Sequence, residues 1–267
     1  MLHLGLMTKP FLDRPLVEVM HFARSIGVSA LEVVASPGSR HLDPHNIDAD
    51  ALRHQLDQHG LSISVLAYYE GEILDAASTL KVQTHAKAVI DAAALLGVPT
   101  VCMLPGFPPP GMSKLETIGR LLPQAFEPVL QHAEKRGVRI AFENFHKSCL
   151  QTLDHFDAFF HAFPQAHAGL NFDPSHLVHQ HLDHLAPIRH YPSRIFHTHA
   201  KDTLINPALP TGWRYVLPGE GAIHWPEFIA QLQAAGFHGT LSIEHEDSAY
   251  TAEEGCTRAA QFLMQYR

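Results

Sequence analysis

A glycine-punctuated repeat constrains this chain more than any other feature. Gly27, Gly60, Gly97, Gly137 and Gly236 each stand between an amphipathic stretch and a short apolar run. Glycine ends a helix there because it reaches the left-handed conformation without the steric cost of a Cβ. The apolar runs fall at 2–7, 30–35, 62–69, 100–105, 139–145, 168–173, 194–200 and 240–246. Helical patterning fills 15–26, 48–59, 76–96, 116–136, 154–163, 176–190, 225–235 and 252–265. Eight alternating pairs predict repeated βα units on a parallel sheet. That count in 267 residues matches one (β/α)8 barrel spanning 1–267, whereas a doubly wound sheet would bring fewer strands and a GxGxxG turn, which does not occur.

Three connections, 36–48, 106–113 and 202–224, are long or rich in turn formers, and all follow strands. In a barrel this is the face where active sites are built, so they read as lids or specificity loops. Trp213, Tyr215 and Val216 give the last one apolar anchors.

Formal charge is −8 with the 22 histidines neutral, which opposes a general attraction to nucleic acid or anionic membrane. Cys102, Cys149 and Cys256 are widely spaced and odd in number, so they predict buried or inert thiols in a reducing compartment rather than disulfides. No stretch reads as a signal peptide or a membrane span, and a cytoplasmic protein is expected. Oligomeric state is open, a homo-oligomer included.

Strands of an all-parallel barrel are covered on both faces and should be nearly continuous apolar runs. Four late ones break the rule at their C-terminal ends: RIAFENF with Glu143 and Asn144, AGLNFDPSH with Asp173 and His176, RIFHTHAKD with His197, His199, Lys201 and Asp202, and LSIEHED with Glu244, His245, Glu246 and Asp247. Charges buried without partners cost several kcal/mol. A salt-bridge network could close the barrel mouth, but a divalent cation accounts for the set more economically. Carboxylates with an imidazole suit Mn2+, Mg2+, Co2+ or Fe2+, and Zn2+ as well.

The motifs FEN (142–144), DPSH (173–176), HAKD (199–202), GEGAIHW (219–225) and SIEHED (242–247) resemble the xylose-isomerase-like barrels. That group includes sugar epimerases, hydroxypyruvate isomerases, inosose isomerases and dehydratases, and type IV AP endonucleases. The resemblance covers essentially the whole chain. It implies that Glu143, Asp173, His199 and Glu244 hold one divalent metal, with Mn2+ the first choice. It also implies that Glu143 and Glu244 exchange protons with substrate carbon and that His176 binds a substrate oxygen.

A hydroxyketone bound there could lose a carbon-bound proton to give an enediolate, which leads to epimerisation or aldose-ketose isomerisation. Elimination of a β-oxygen would instead make a dehydratase or lyase on a keto-sugar, keto-inositol or 3-keto-glycoside. His146 could serve as an extra acid or base, and Glu246 could reach a hydroxyl. One of Tyr68 and Tyr69, with Tyr69 the candidate, is expected to pack over the sugar. Arg214 is expected to close over an anionic substituent. Lys201 and Asp202 are expected to pair and orient His199 from behind. His179, His181 and His184 are expected on a helix, scattered around its surface.

The endonuclease branch demands further histidines at the ends of strands three and four, where this chain has AYYEG and MLPGF, and an Asp-x-His pair where it has GEGAIH. The acidic balance opposes a DNA groove as well. A non-catalytic sugar-binding barrel would usually have lost a ligand, and all four are present. The expected partner is a small carbohydrate.

Overall fold

The computed structural model describes residues 2–266. Its barrel strands are β1 (His3–Met7), β2 (Ala30–Val34), β3 (Ser62–Tyr68), β4 (Thr100–Met103), β5 (Arg139–Glu143), β6 (Ala168–Phe172) and β7 (Ile195–Ala200). An antiparallel ribbon of β8 (Asp202–Ile205) and β9 (Trp213–Val216) follows before the last barrel strand, β10 (Thr240–Ile243). The eight barrel strands are parallel, and β10 closes the ring between β7 and β1. Around it run α1 (Leu16–Ser25), α2 (Ala49–His59), α3 (Thr79–Leu96), α4 (Lys114–Arg120), α5 (Leu122–Arg136), α6 (Leu153–Ala162), α7 (Ser175–Val178), α8 (Ala186–His190), α9 (Trp225–Ala234) and α10 (Ala252–Leu263). The expected α/β barrel is therefore present. Gly60, Gly97 and Gly137 close α2, α3 and α5 with φ of +63°, +73° and +68°.

Alternate residues of each strand face opposite sides, and the two sides have different chemistry. Leu4, Leu31, Leu66, Val101, Ile140, Leu170 and Leu241 belong to the large apolar layer between barrel and helices. In register on the other side, Ala67, Cys102, Ala141 and Gly169 occupy one level. These small residues leave room in the barrel for a polar network above them. Irregularities in the ladder set its height: Ser64 in β3 and Phe196 in β7 are extra residues opposite the Leu31–Glu32 and Leu170–Asn171 steps. Such bulges re-aim the residues that follow them.

Two expected helices are interrupted. The 116–136 segment divides at Leu121, where Pro123 starts a new helix. Proline suits a first helical turn because its missing N–H would have had no partner there. The 176–190 segment is α7, a turn and α8, with His181 at φ 58°. His179, His181 and His184 thus lie on or after the end of α7 rather than around a helix. The three cysteines are buried and free, as expected. No helix among the described residues is long and apolar enough to cross a membrane.

The 202–224 connection is folded around Asp202. Its carboxylate accepts from the N–H groups of Thr203, Gly219, Gly221 and Ile223 and from the Trp225 indole, at 2.8–3.3 Å. A Cβ at Gly221 would stand 2.2 Å from Asp202 Oδ1, so this turn needs glycine for close approach. Removing the acceptor strands several buried donors, each worth ~1–3 kcal/mol. Asp202→Ala should therefore lower unfolding free energy by about 3 kcal/mol in urea titration. A loss below ~1 kcal/mol would show that the turn does not depend on it.

Candidate metal centre

At the C-terminal end of the barrel Glu143, Asp173, His199 and Glu244 converge, all buried, with one potential ligand atom of each within 4.8 Å of the others. Glu143 ends β5, Asp173 follows β6, His199 lies in β7 and Glu244 follows β10. His199 Nδ1 stands 3.5 Å from Glu143 Oε1, 4.0 Å from Asp173 Oδ2 and 3.0 Å from Glu244 Oε2. Cis donors around an octahedral ion with bonds of ~2.1 Å lie roughly 3 Å apart, so the set is slightly wider than a closed coordination shell.

The opposite face of His199 fixes its role. Nε2 lies 3.2 and 3.1 Å from the two carboxylate oxygens of Glu32, a residue buried inside the barrel. Glu32 also accepts from His197 Nε2 at 2.9 Å and from the Tyr69 hydroxyl. A proton on Nε2 directed at Glu32 leaves the Nδ1 lone pair facing three carboxylates. Nδ1 and Asp173 Oδ2 are buried and make no hydrogen bond. Lys201 Nζ already neutralises part of this group, 2.9 Å from Asp173 Oδ2 and 2.7 Å from Glu244 Oε2, and a second proton on the imidazole or a bound cation would satisfy Nδ1 among the remaining carboxylate oxygens. Burial disfavours the charged form of His199, but Glu32 and Glu244 outweigh it and hold its pKa well above the usual value. The donor set therefore fits a divalent ion taking the place of that proton. This arrangement, a carboxylate behind a histidine whose other nitrogen faces the ion, is the usual support of a metal-binding imidazole.

Sequence reasoning missed Glu32. Its signal was a lone acid inside the apolar run ALEVVA. Asn171 was missed too, although it donates to Tyr69 OH at 2.9 Å and stands 3.1 Å from His199 Nε2. Asn144 clamps the next strand, donating to the Asp173 carbonyl at 2.8 Å and accepting from the Asp173 N–H at 2.7 Å.

The expected pair of Lys201 and Asp202 does not form. Neighbours along an extended chain point to opposite sides, so Lys201 continues the inward series of His197 and His199 while Asp202 turns outward to its ribbon. Lys201 Nζ bonds Glu244 at 2.7 Å and Glu246 at 3.1 Å. It also lies 2.9 Å from Asp173 Oδ2, off the direction of a hydrogen bond. Burial raises the proton affinity of Glu244, but Lys201 and His199 overcome this and hold its pKa well below normal. Glu143 is likewise opposed by burial, and the imidazoles of His176 and His199 hold it at about 2.

His176 joins the cluster, with Nε2 3.3 Å from Asp173 and 3.5 Å from Glu143. Its Nδ1 lies 2.9 Å from Tyr215 OH and 3.4 Å from His146 Nδ1. Burial and the neighbouring His176 and His179 lower His146 to about 3, so it is a neutral imidazole with little capacity as an acid. Tyr69 lies at the centre, whereas Tyr68 belongs to the outer apolar layer. Glu246 is tied to Lys201 and stands 3.6 Å from Lys9. Arg214 Nη1 donates to Asp247 Oδ1 at 2.9 Å and fastens the ribbon to the loop after β10, while its side chain stays 41% exposed. Beside the centre, a cleft of about 350 Å³ is lined by Lys9, Val34, Arg40, Tyr69 and Glu70, among others. A larger cleft of about 720 Å³ between the 36–45 loop and α3 contains none of the four converging residues.

Comparison with known proteins agrees with this architecture. Residues 20–266 match the family described as xylose isomerase-like TIM barrel. The chain is 26% identical to a Bacillus subtilis (strain 168) protein, the uncharacterized YfiH, across 94% of this chain and 95% of that one. It is also 26% identical to an inosose dehydratase of Geobacillus thermodenitrificans (strain NG80-2), across 50% of this chain and 49% of the dehydratase. Among solved structures, an IolI protein with a bound zinc atom superposes with a TM-score of 0.81 at 20% identity, covering 100% of this chain and 99% of IolI. An L-ribulose 3-epimerase gives 0.76 at 17%, covering 99% and 94%. At those identities the superpositions establish the fold alone.

Replacing Glu32 by Ala removes the partner that orients His199. Divalent-ion affinity should fall ~10–100-fold in calorimetric titration, with Glu32→Gln less affected because it retains an acceptor. Wild-type affinity in Glu32→Ala would show that His199 needs no support from the barrel interior.

Proposed function

The chain belongs to the xylose isomerase-like TIM barrel family, and from that premise we propose that it is a divalent-metal-dependent isomerase or epimerase of a small sugar, keto-sugar or related polyol. The observation that carries this reading is the convergence of Glu143, Asp173, His199 and Glu244, with the other nitrogen of His199 committed to buried Glu32. The zinc named in the IolI structure supports a cation. Mn2+ is the first ion to try, with Mg2+, Co2+, Fe2+ and Zn2+ as alternatives compatible with the donors. A divalent ion held there would polarise a carbonyl and its neighbouring hydroxyl, making the adjacent C–H acidic.

Glu143 and Glu244 are the proton-transfer pair. They reach the centre from β5 and the end of β10, with β6 and β7 between them in the ring, so they approach from different directions. His176 and His199 hold Glu143 ionised, the form that can accept a proton, but as a weak base that needs the C–H to be acidified first. If Glu244 takes a proton from the Lys201 ammonium that bonds it at 2.7 Å and passes it to the opposite face of the same carbon, its configuration inverts. Return to the adjacent carbon moves the carbonyl instead. His176, Glu246 and Lys201 supply hydrogen-bonding groups for the remaining hydroxyls, and Tyr69 forms the wall shared with the 350 Å³ cleft. Because Arg214 is engaged with Asp247, the reading favours an unphosphorylated substrate. The free buried thiols suit a reducing compartment such as the cytoplasm.

One observation favours elimination as a second reading: the buried Lys201 ammonium beside Glu244. After Glu143 removes the proton, cleavage of a β C–O bond expels hydroxide. Lys201 can protonate it to water, leaving a conjugated enone. The partial match to an inosose dehydratase supports this alternative.

The Mn2+-loaded protein, incubated in deuterated water with ketoses, keto-inositols and 3-keto-glycosides, should place deuterium at one carbon of its substrate. Proton NMR separates an epimer or isomer from an unsaturated product. Glu244→Gln should reduce exchange at least 100-fold, on the order of a lost acid/base group, and unchanged turnover would remove Glu244 from the reaction. His199→Ala should lose most of its metal by elemental analysis, whereas His181→Ala should keep it.

A further inference from the structure

Next to the carboxylate-rich centre lies a group of imidazoles to which the proposed reaction assigns no metal. His146, His176 and His179 offer one nitrogen each within 4.8 Å of one another. Their ring centroids are 4.5, 5.3 and 6.1 Å apart, and His146 Nδ1 stands 3.4 Å from His176 Nδ1. Zn–N bonds of 2.0–2.1 Å in a tetrahedron put two ligand nitrogens roughly 3.4 Å apart. His146 and His176 already stand at that separation, and His179 offers a nitrogen within 4.8 Å of both.

Three different structural devices hold them there. His146 follows β5, and Lys114 Nζ binds its backbone carbonyl at 2.6 Å. His176 sits in α7, fully buried. His179 ends that helix and stacks on Trp213 of the ribbon at 4.1 Å and 10° between planes. Phe145 edges His146 and His176, and Trp213 also edges His146. With these contacts His176 is buried and His146 and His179 are half-buried. His179 Nε2 is buried without a hydrogen-bond partner. Tyr215 OH, 2.9 Å from His176 Nδ1, is positioned as a fourth group near the ion.

We propose that His146, His176 and His179 form a second cation site, selective for a borderline-soft divalent ion such as Zn2+, Co2+ or Ni2+. All-imidazole donors favour those ions, whereas the neighbouring carboxylate set also accepts Mn2+ and Mg2+. Asp173 and Glu143, at 3.3 and 3.5 Å from His176 Nε2, offset the added charge. The site does not depend on the reaction proposed above.

Metal-free protein titrated with Co2+ provides the test, read by calorimetric stoichiometry and visible absorption. Wild type should bind two ions per chain, one giving the intense absorption of a tetrahedral nitrogen-rich site. The His146→Ala/His179→Ala double variant should bind one and lose that band, and His199→Ala should retain the band. An exposed imidazole pair, His21 and His59, has nitrogens 3.2 Å apart, so His21→Ala/His59→Ala controls for adventitious binding and should still bind two. Two ions in the double variant, or a wild type without the tetrahedral band, overturns the proposal. If the double variant does not fold by circular dichroism, His179→Gln replaces it and should lose the band, with retention counting against the site. A wild type that binds one ion and a double variant that binds none would uphold this site while refuting the carboxylate-centred one.

Discussion

The chemistry of this barrel depends on a carboxylate in its interior. Among the described residues no lysine or arginine binds Glu32. Two imidazoles and a phenol satisfy it instead. An isolated ion there would be prohibitively expensive, so the histidines must face it, and that requirement determines which nitrogen of His199 looks toward the mouth. Burial opposes ionisation of Glu32, but the charges of His199 and His197 prevail and hold its pKa well below the usual carboxylate range. The polarity of the whole centre follows from this one orientation.

Geometry above Glu32 is set by backbone as much as by side chains. The bulges at Ser64 and Phe196 bring Glu32, Val65, Asn171 and His197 into register, and small residues below leave space for the imidazoles. Asn144 then fixes the backbone of Asp173 through two hydrogen bonds, so Glu143 and Asp173 on adjacent strands move as a unit. Asp202 does the equivalent for the ribbon, whose Tyr215 ring lies 4.6 Å from Lys201 Nζ. Preorganised donors of this kind need little reorganisation when charge develops on a substrate.

Much of this was legible in the sequence because the barrel repeat is strong and because polar residues at strand ends are conspicuous against apolar runs. Glu143, Asp173, His199 and Glu244 stood out for that reason. Glu32 did not, since it lies on an early strand and its partners are 165 and 167 residues away. Lys201 and Asp202 show the limit of adjacency: neighbours in sequence were expected to pair, but the two-residue period of extended chain sends one into the barrel and the other to the ribbon. The spacing of His179, His181 and His184 predicts histidines scattered around a helix. The turn at His181 ends that helix early and holds His179 against Trp213, a contact that depends on the ribbon and so on long-range folding.

The ribbon also bears on which molecules can enter. A long loop after a barrel strand could have been a mobile lid carrying Arg214 to a phosphate. Here it is paired with itself in an antiparallel ladder, anchored beneath by Asp202 and pinned at its edge by Arg214 on Asp247. Closing it over an anion would break a charge-assisted hydrogen bond to a buried carboxylate, which is worth ~1.5–3 kcal/mol. Lys201 is bonded to Glu244 and Glu246 and His176 Nδ1 to Tyr215, whereas His176 Nε2 has no hydrogen-bond partner and faces the centre. On the proposed reading, a hydroxyl reaching His176 Nε2 would disturb the ribbon less than a phosphate reaching Arg214.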